Sequence, residues 1–190
     1  MLPILTWCLK EHTTQPIIEE QWADFSRIPR QRDLEARFRV TLDLYPCDIL
    51  FVHRDAENQP PEWRRREIQD AAARISVRYV PVVPVRMTES WLLFDESAIR
   101  SAAGNPQGTQ ELNLPGMASV EDIPDPKAKL YQTLILASSH NAPRRHGFPV
   151  RQRVHLIPNY IDGYSPLGNL TAFRLLRQDI RKALGTEPTL

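Results

Sequence analysis

The sequence is poor in the residues on which phosphate loops, zinc sites and disulfide frameworks depend. Its 7 glycines never form the Gly-x-x-x-x-Gly-Lys pattern of a phosphate-binding loop. Its 2 cysteines, Cys8 and Cys47, lie in apolar segments without the spacing of zinc ligands, so we expect both to be reduced and buried. A Gly-x-Ser-x-Gly elbow is also missing, which argues against a serine nucleophile.

Long apolar runs are missing as well. None approaches the roughly 20 residues that span a bilayer. The first residues lack the basic start and the small-residue cleavage site of a signal peptide. We therefore expect a cytoplasmic protein that does not enter a membrane.

Lysine is scarce, because the 24 basic residues comprise 20 arginines and 4 lysines. The net charge is +1, which excludes a global electrostatic attraction to nucleic acid or membranes. Arginine binds phosphates and carboxylates with two parallel hydrogen bonds, so the bias favours anion recognition. A genome rich in G and C, which favours arginine codons, explains the same bias equally well.

Length and hydrophobic pattern predict one α/β domain. The 190 residues, with 42% hydrophobic and 25% charged residues, are ordinary for a single globular domain. Apolar periodicity predicts helices at 1–13, 31–45, 60–75, 88–104, 126–138 and 169–184, and strands at 16–22, 47–52 and 78–87. The segments 104–126 and 139–153 have the composition of loops. Strands that alternate with helices indicate an open sheet flanked by helices, although this chain begins with a helix.

Charged residues follow directly after the predicted strand at 47–52. His53, Asp55 and Glu57 come at its end, and Glu89 follows the next predicted strand along the chain. Ligands of open parallel sheets bind beyond the carboxyl ends of the strands. We therefore predict a Mg²⁺ or Mn²⁺ site formed by Asp55, Glu57 and Glu89, with His53 as a further ligand and Asp55 and Glu89 as the catalytic pair. The alternative interpretation is that Asp55 and Glu57 are solvated loop residues, and that Glu89 is simply a first-turn acid stabilised by the helix dipole.

The sequence contains three stretches, DILFVHRDAE (48–57), VPVRMTESWLLFDESAI (83–99) and VEDIPDPKAKL (120–130), that together resemble a Toprim-related family of uncharacterised bacterial proteins. DILFVHRDAE (48–57) resembles the Toprim strand that ends in Asp-x-Asp. VPVRMTESWLLFDESAI (83–99) resembles the family's Glu-x-Trp-Leu-Leu helix, and VEDIPDPKAKL (120–130) resembles its acidic turn and Pro-x-Lys helix start. The resemblance covers about residues 1–135, and implies that residues 136–190 form a helical extension of a single Toprim-like domain.

The resemblance implies a fold and an activity. Toprim domains have an open, mainly parallel sheet and act with Mg²⁺ on nucleic-acid phosphodiesters. Relatives of the uncharacterised family occur in phage-defence neighbourhoods, which favours a nuclease. In the Asp-x-Asp motif only Asp55 matches, because His53 takes the place of the first aspartate. The chain also lacks the family's first strand and its glutamate, so either it starts late or its site is incomplete.

Nucleic acid and a partner protein are the candidate binding partners. Arg144, Arg145, Arg151 and Arg153 lie in a basic loop that is suited to a phosphate backbone, or is simply a solvated charged face. Two other functions stay open: a catalytically silent module that binds a partner such as an ATPase, and a hydrolase of small phosphate esters. A homo-oligomer is compatible with each of them. We expect the tryptophans at 22, 63 and 91 to be core residues rather than base-stacking platforms.

Overall fold

The computed structural model describes residues 1–14, 18–26, 29–138 and 147–186. Helices and two strands alternate along this part of the chain. Their bounds are α1 (Leu2–Lys10), α2 (Leu34–Leu44), β1 (Ile49–His53), α3 (Pro61–Ala72), β2 (Arg78–Val82), α4 (Glu96–Ala102), α5 (Pro126–Ala137), α6 (Val150–Val154) and α7 (Thr171–Leu184). Short 3-10 helices lie at Thr88–Leu92, Met117–Asp122, Ile157–Asn159 and Ser165–Asn169.

The two strands lie side by side and run parallel, with Ile49 opposite Arg78 and His53 opposite Val82. Helix α3 is the crossover between them, so β1, α3 and β2 form a βαβ unit. This unit confirms the α/β class. Within the described residues the sheet has two strands.

The prediction of a strand at 16–22 is wrong for residues 18–22, the part of this segment that the structure describes. Residues 18–22 are irregular, while 15–17 lie outside the described residues. Glu19, Glu20 and Gln21 are exposed, and Trp22 is 58% exposed. A polar run without a buried face gains too little from packing to be held in a sheet.

Strand β2 ends earlier than the apolar run from 78 to 87 predicted. It stops at Val82, between the two prolines of that run. Backbone hydrogen bonds still join the two segments beyond the strands: Ala56 N–H donates to Pro84 O at 3.3 Å, and Glu57 N–H donates to Arg86 O at 2.9 Å. The carboxyl ends of the strands therefore stay together as an irregular ribbon.

The helix predicted at 88–104 is two helices. The 3-10 helix Thr88–Leu92 is followed by α4, and Asp95 separates them. The Asp95 side chain accepts a hydrogen bond from Ala98 N–H at 2.9 Å and so caps α4. An aspartate that satisfies a free N–H at a helix start favours a new helix over continuation of the preceding one.

The sheet has an apolar cluster on each face. The larger one joins residues of α1, α4, α5 and α7 to Val80 and Val82. The smaller one joins residues of α2 and α3 to Val52 and Val83. Since α1 and α7 share the larger cluster, the first and last helices pack into one core.

Burial of tryptophan and cysteine differs from the prediction at three positions. Trp91 and Cys8 are fully buried, as predicted. Trp22 and Trp63 are 58% and 66% exposed, and Cys47 is exposed, so their predicted burial is wrong. Trp63 lies in the first turn of α3, ahead of the buried residues on that helix.

Predicted helix ends are confirmed where a side chain or a glycine fixes them. Asp125 accepts a hydrogen bond from Ala128 N–H at 2.8 Å at the start of α5. Helix α7 ends at Gly185, whose φ of +69° is left-handed, a conformation that favours glycine. Among the described helices, none has the length and apolar composition of a bilayer-crossing segment.

Candidate functional site

Three side chains meet at the carboxyl end of β1. His53 is the last residue of the strand, Asp55 follows two residues later, and Thr88 begins the 3-10 helix after β2. His53 Nε2 lies 2.8 Å from Thr88 Oγ1 and 3.2 Å from Asp55 Oδ1. We call His53, Asp55 and Thr88 the strand-end cluster.

The hydrogen bonds of the strand-end cluster converge on one carboxylate oxygen. Asp55 Oδ1 accepts from Thr88 N–H at 3.2 Å and from Thr88 Oγ1–H at 3.3 Å. All contacts are satisfied when His53 Nε2 carries the proton and donates to Thr88 Oγ1. Asp55 thereby holds the first residue of the 3-10 helix, which follows β2, close to the end of β1.

This geometry is not that of a hydroxyl-histidine-carboxylate relay. A relay requires the carboxylate at one ring nitrogen of the histidine and the hydroxyl at the other. Here Asp55 and Thr88 both contact Nε2 of His53. Thr88 is therefore not activated as a nucleophile by this histidine.

The strand-end cluster is open to solvent on one side. The side chain of His53 is 29% exposed and that of Asp55 is 32% exposed. Asp55 Oδ2 and His53 Nδ1 have no hydrogen bond or ion pair within the described residues. One carboxylate oxygen and one ring nitrogen thus stay free for a ligand.

Glu57 does not join the cluster in the way that the sequence predicted. The prediction required an extended segment, in which Asp55 and Glu57 point the same way. Glu57 instead has a left-handed φ of +55°, and its hydrogen-bonded partner Arg86 has a φ of +60°. The extended alternation is broken there, and the Glu57 side chain is exposed.

Glu89 lies in the first turn of the 3-10 helix and is half-buried. Across residues 1–14, 18–26, 29–138 and 147–186, no three histidine, cysteine or acidic side chains are grouped so that they could hold one metal ion. The predicted site of His53, Asp55, Glu57 and Glu89 is therefore not assembled as a whole. Of the four predicted residues, the structure brings His53 and Asp55 into contact.

Arg54, between His53 and Asp55 in the sequence, pairs with a carboxylate of α3. Its Nη2 lies 3.2 Å from Glu67 Oε1 on α3, and Arg64 Nη1 lies 3.1 Å from the other oxygen of Glu67. Glu67 therefore partly neutralises the positive charges of both arginines.

The predicted phosphate-binding arginines are only partly described. Arg144 and Arg145 lie outside the described residues. Arg151 is exposed on α6, and Arg153 donates from Nη1 to the carbonyl of Ala102 at 3.2 Å. Helix α6 packs on α5, so these two arginines are not part of the strand-end cluster.

Thr88 is the residue of the cluster that sequence reasoning missed. Its signal was a threonine directly after an apolar strand and one residue before Glu89, a position typical of a helix start. A helix start predicts a capping role in its own helix. It does not predict contact with Asp55, which is 33 residues away.

A large cavity runs along β1 and reaches the strand-end cluster. Its volume is about 1850 Å³, and every residue from 48 to 54 lines it, including His53. Helix α1 contributes Leu2, Leu5 and Leu9, and helix α2 contributes Leu34 and Phe38. We call this cavity the β1 groove.

Comparisons of this chain with protein-family models, with curated proteins and with solved structures found no significant match.

Proposed function

We propose that this chain is a divalent-metal-dependent phosphodiesterase of Toprim-like type, with Asp55 as its principal metal ligand. The carrying observation is the approach of Asp55 to His53 at the carboxyl end of a parallel strand, with both side chains partly exposed. Ligands of open α/β sheets bind at this end of the strands. The motif resemblance of residues 48–57 supports the same residue.

The strand-end cluster offers Mn²⁺ or Mg²⁺ two ligand atoms, one carboxylate oxygen and one ring nitrogen. Mg²⁺ keeps several of its waters and is commonly held by one or two carboxylates together with substrate phosphates. Asp55 Oδ2 supplies one carboxylate oxygen that has no other partner among the described residues. His53 Nδ1 adds a nitrogen donor, which suits Mn²⁺ better than Mg²⁺.

The proposed roles follow from the contacts. A divalent ion held here would supply Lewis-acid activation of water and charge neutralisation on the phosphate. Asp55 would hold the ion through Oδ2, because its Oδ1 accepts a hydrogen bond from Thr88 N–H. Thr88 and His53 fix the orientation of the Asp55 carboxylate, and such supporting contacts typically change metal affinity about 10- to 100-fold.

Calorimetric titration with Mn²⁺ tests the proposal. We expect saturable binding to the wild-type chain, loss of binding in Asp55→Asn, and unchanged binding in Asp70→Asn. Asp70 is a matched control because it is an exposed aspartate on α3 that undergoes the same chemical change. Absence of Mn²⁺ binding by the wild-type chain, or equal binding by Asp55→Asn, would refute the assignment.

The same variants distinguish substrate classes. With Mn²⁺ present, we expect the wild-type chain to cleave a single-stranded oligonucleotide or a bis(aryl) phosphate diester, and Asp55→Asn to lose this activity. Turnover of an aryl phosphate monoester without diester cleavage would instead favour a small phosphate-ester hydrolase.

A further inference from the structure

We infer that His12, Arg177 and Arg181 form a binding site for a phosphate group that carries two negative charges. We call these three residues the basic cluster. The inference does not depend on the proposed metal site. It rests on where the three side chains lie, on the lack of an acidic partner for the two arginines, and on the charge that an occupant must carry to balance them.

The basic cluster lies where the first helix meets the last. Arg177 and Arg181 are four residues apart on α7, so their side chains lie on neighbouring turns of one helix face. His12 follows the end of α1, and its Nε2 accepts a hydrogen bond from Arg177 Nε at 3.3 Å. All three residues are half-buried. The packing of α1 on α7 therefore brings the three side chains together.

Neither arginine of the basic cluster has an acidic partner. Within the described residues, no aspartate or glutamate forms an ion pair with Arg177 or Arg181. Asp179, which lies between them in the sequence, pairs instead with Arg65 at 2.6 Å. The Nε atom of Arg181 is buried and has no hydrogen-bond partner among the described residues. Half-buried charges are usually paired, so two unpaired guanidiniums indicate that an anion belongs beside them.

The local backbone compensates only part of this charge. The carboxyl end of α1 carries roughly half a negative charge, whereas two guanidiniums carry two full positive charges, which repel each other one turn apart on a helix. Burial is the largest cause that lowers the pKa of His12, and Arg177 and Arg181 lower this pKa further, against a smaller opposing effect of Glu11. Glu11 itself is exposed. The potential at the basic cluster is therefore positive.

A phosphate dianion matches the basic cluster in charge and in hydrogen bonding. Guanidinium groups bind phosphate through two parallel hydrogen bonds and give up their hydration more readily than ammonium groups. The Nη1 and Nη2 atoms of Arg177 and Arg181 have no hydrogen-bond partner among the described residues, so they are available as donors. A dianion balances both arginines, whereas a carboxylate balances one. His12 and Arg181 line the β1 groove, through which a ligand reaches them.

Calorimetric titration of the full chain with inorganic phosphate, without divalent metal and in about 0.15 M NaCl to screen non-specific attraction, tests the inference. We expect saturable binding by the wild type and at least tenfold weaker binding by Arg177→Gln and by Arg181→Gln. Arg174→Gln is the matched control, because Arg174 is an exposed arginine of the same helix outside the basic cluster, and it should bind phosphate as the wild type does. No saturable binding by the wild type, or equal binding by all four proteins, would overturn the inference.

The imidazole signals of the wild-type chain show where phosphate binds without any substitution in the basic cluster. A bound phosphate places negative charge beside His12, so the pKa of His12 measured by NMR should rise when phosphate is added. The ring signals of His53, which belongs to the strand-end cluster, should stay in place. Saturable phosphate binding that leaves the pKa of His12 unchanged, or that shifts the His53 signals instead, would place the anion elsewhere and overturn the inference.

Two further probes distinguish the sources of a phosphate dianion, a small phosphomonoester and the phosphorylated end of a nucleic acid. At about pH 7.5 a terminal phosphate carries close to two negative charges, whereas each internal phosphodiester carries one. Tighter binding of a 5′-phosphorylated oligonucleotide than of its 5′-hydroxyl counterpart supports the site and assigns it to nucleic-acid ends. Binding of adenosine 5′-monophosphate with no difference between the two oligonucleotides supports the site and assigns it to small phosphomonoesters. Equal binding of the two oligonucleotides without binding of the monophosphate would contradict the inference, since the dianion would not be recognised.

Discussion

His12 shows how one residue takes its properties from a distant part of the chain. It follows α1, and its Nε2 accepts a hydrogen bond from Arg177 Nε of α7 at 3.3 Å. Burial is the largest cause that lowers the pKa of His12 below its usual 6.5, and the positive charges of Arg177 and Arg181 lower it further. His12 therefore favours its neutral form in the folded protein.

This lowered pKa predicts a pH dependence of stability. As the pH falls below about 6.5, the unfolded chain takes up a proton on His12 before the folded chain does, so the free energy of unfolding decreases. We expect the wild type to lose more stability between about pH 7.5 and about pH 5.5 than His12→Gln loses. Urea unfolding at both pH values measures this difference. Parallel losses in the two proteins would contradict the prediction.

Arg54 and Asp55 differ in whether a nearby or a distant segment of the chain supplies the residue that they contact. Arg54 forms an ion pair with Glu67, which lies on the helix that follows β1. Asp55 accepts a hydrogen bond from Thr88, and only the pairing of β1 with β2 brings these two residues together. The first contact follows from a short segment, whereas the second requires the sheet.

At the scale of secondary structure, aspartates set where helices begin. Asp33, Asp95 and Asp125 each accept a hydrogen bond from the backbone N–H three residues later, at the starts of α2, α4 and α5. This spacing is local, so the cap of α5 was predictable from residues 125–128 alone. The break before α4 was not foreseen, because the apolar pattern continued through it.

The cap of α5 gives a second prediction. Asp125→Ala removes the acceptor of Ala128 N–H and should lower the free energy of unfolding by about 1 kcal/mol. Asp125→Asn keeps a side-chain oxygen and should retain most of that stability. Denaturant unfolding measures both, with Asp122→Ala as the control because Asp122 is an exposed aspartate outside α5. A loss in the control equal to that in Asp125→Ala would refute the capping role.

At the scale of the whole molecule, Trp91 joins the chain's middle to its last helix. It is fully buried, and its ring meets that of Phe173 on α7 edge to face at 5.5 Å. Its Nε1–H has no partner among the described residues. The contribution of Trp91 is therefore packing rather than hydrogen bonding.

Removal of this ring should affect the whole fold. We expect Trp91→Ala to lower the free energy of unfolding by about 3–5 kcal/mol, a large share of a total of roughly 5–15 kcal/mol. Trp91→Phe, which keeps a ring beside Phe173, should lose less. Trp63→Ala is the matched control, because Trp63 is 66% exposed and its loss should cost within about 0.5 kcal/mol. Comparable losses for Trp63→Ala and Trp91→Ala in thermal unfolding would contradict this account of the core.

The sequence by itself determined the features that depend on neighbouring residues. Apolar periodicity located most of the helices, including α5 and α7. The run from 47 to 52 located β1, and the charges that follow it located the candidate site. These signals are local, because a helix turn or a strand face spans only a few residues.

Only the tertiary structure decided which of these residues meet. It joined His53 and Asp55 to Thr88, placed Glu57 in a left-handed conformation, and left Trp22 and Trp63 exposed. Among the described residues it paired no third strand with β1 and β2, and it left residues 18–22 of the strand predicted at 16–22 irregular. The physical reason is that pairing and burial depend on segments far apart in the chain, and local propensity is too weak to determine them.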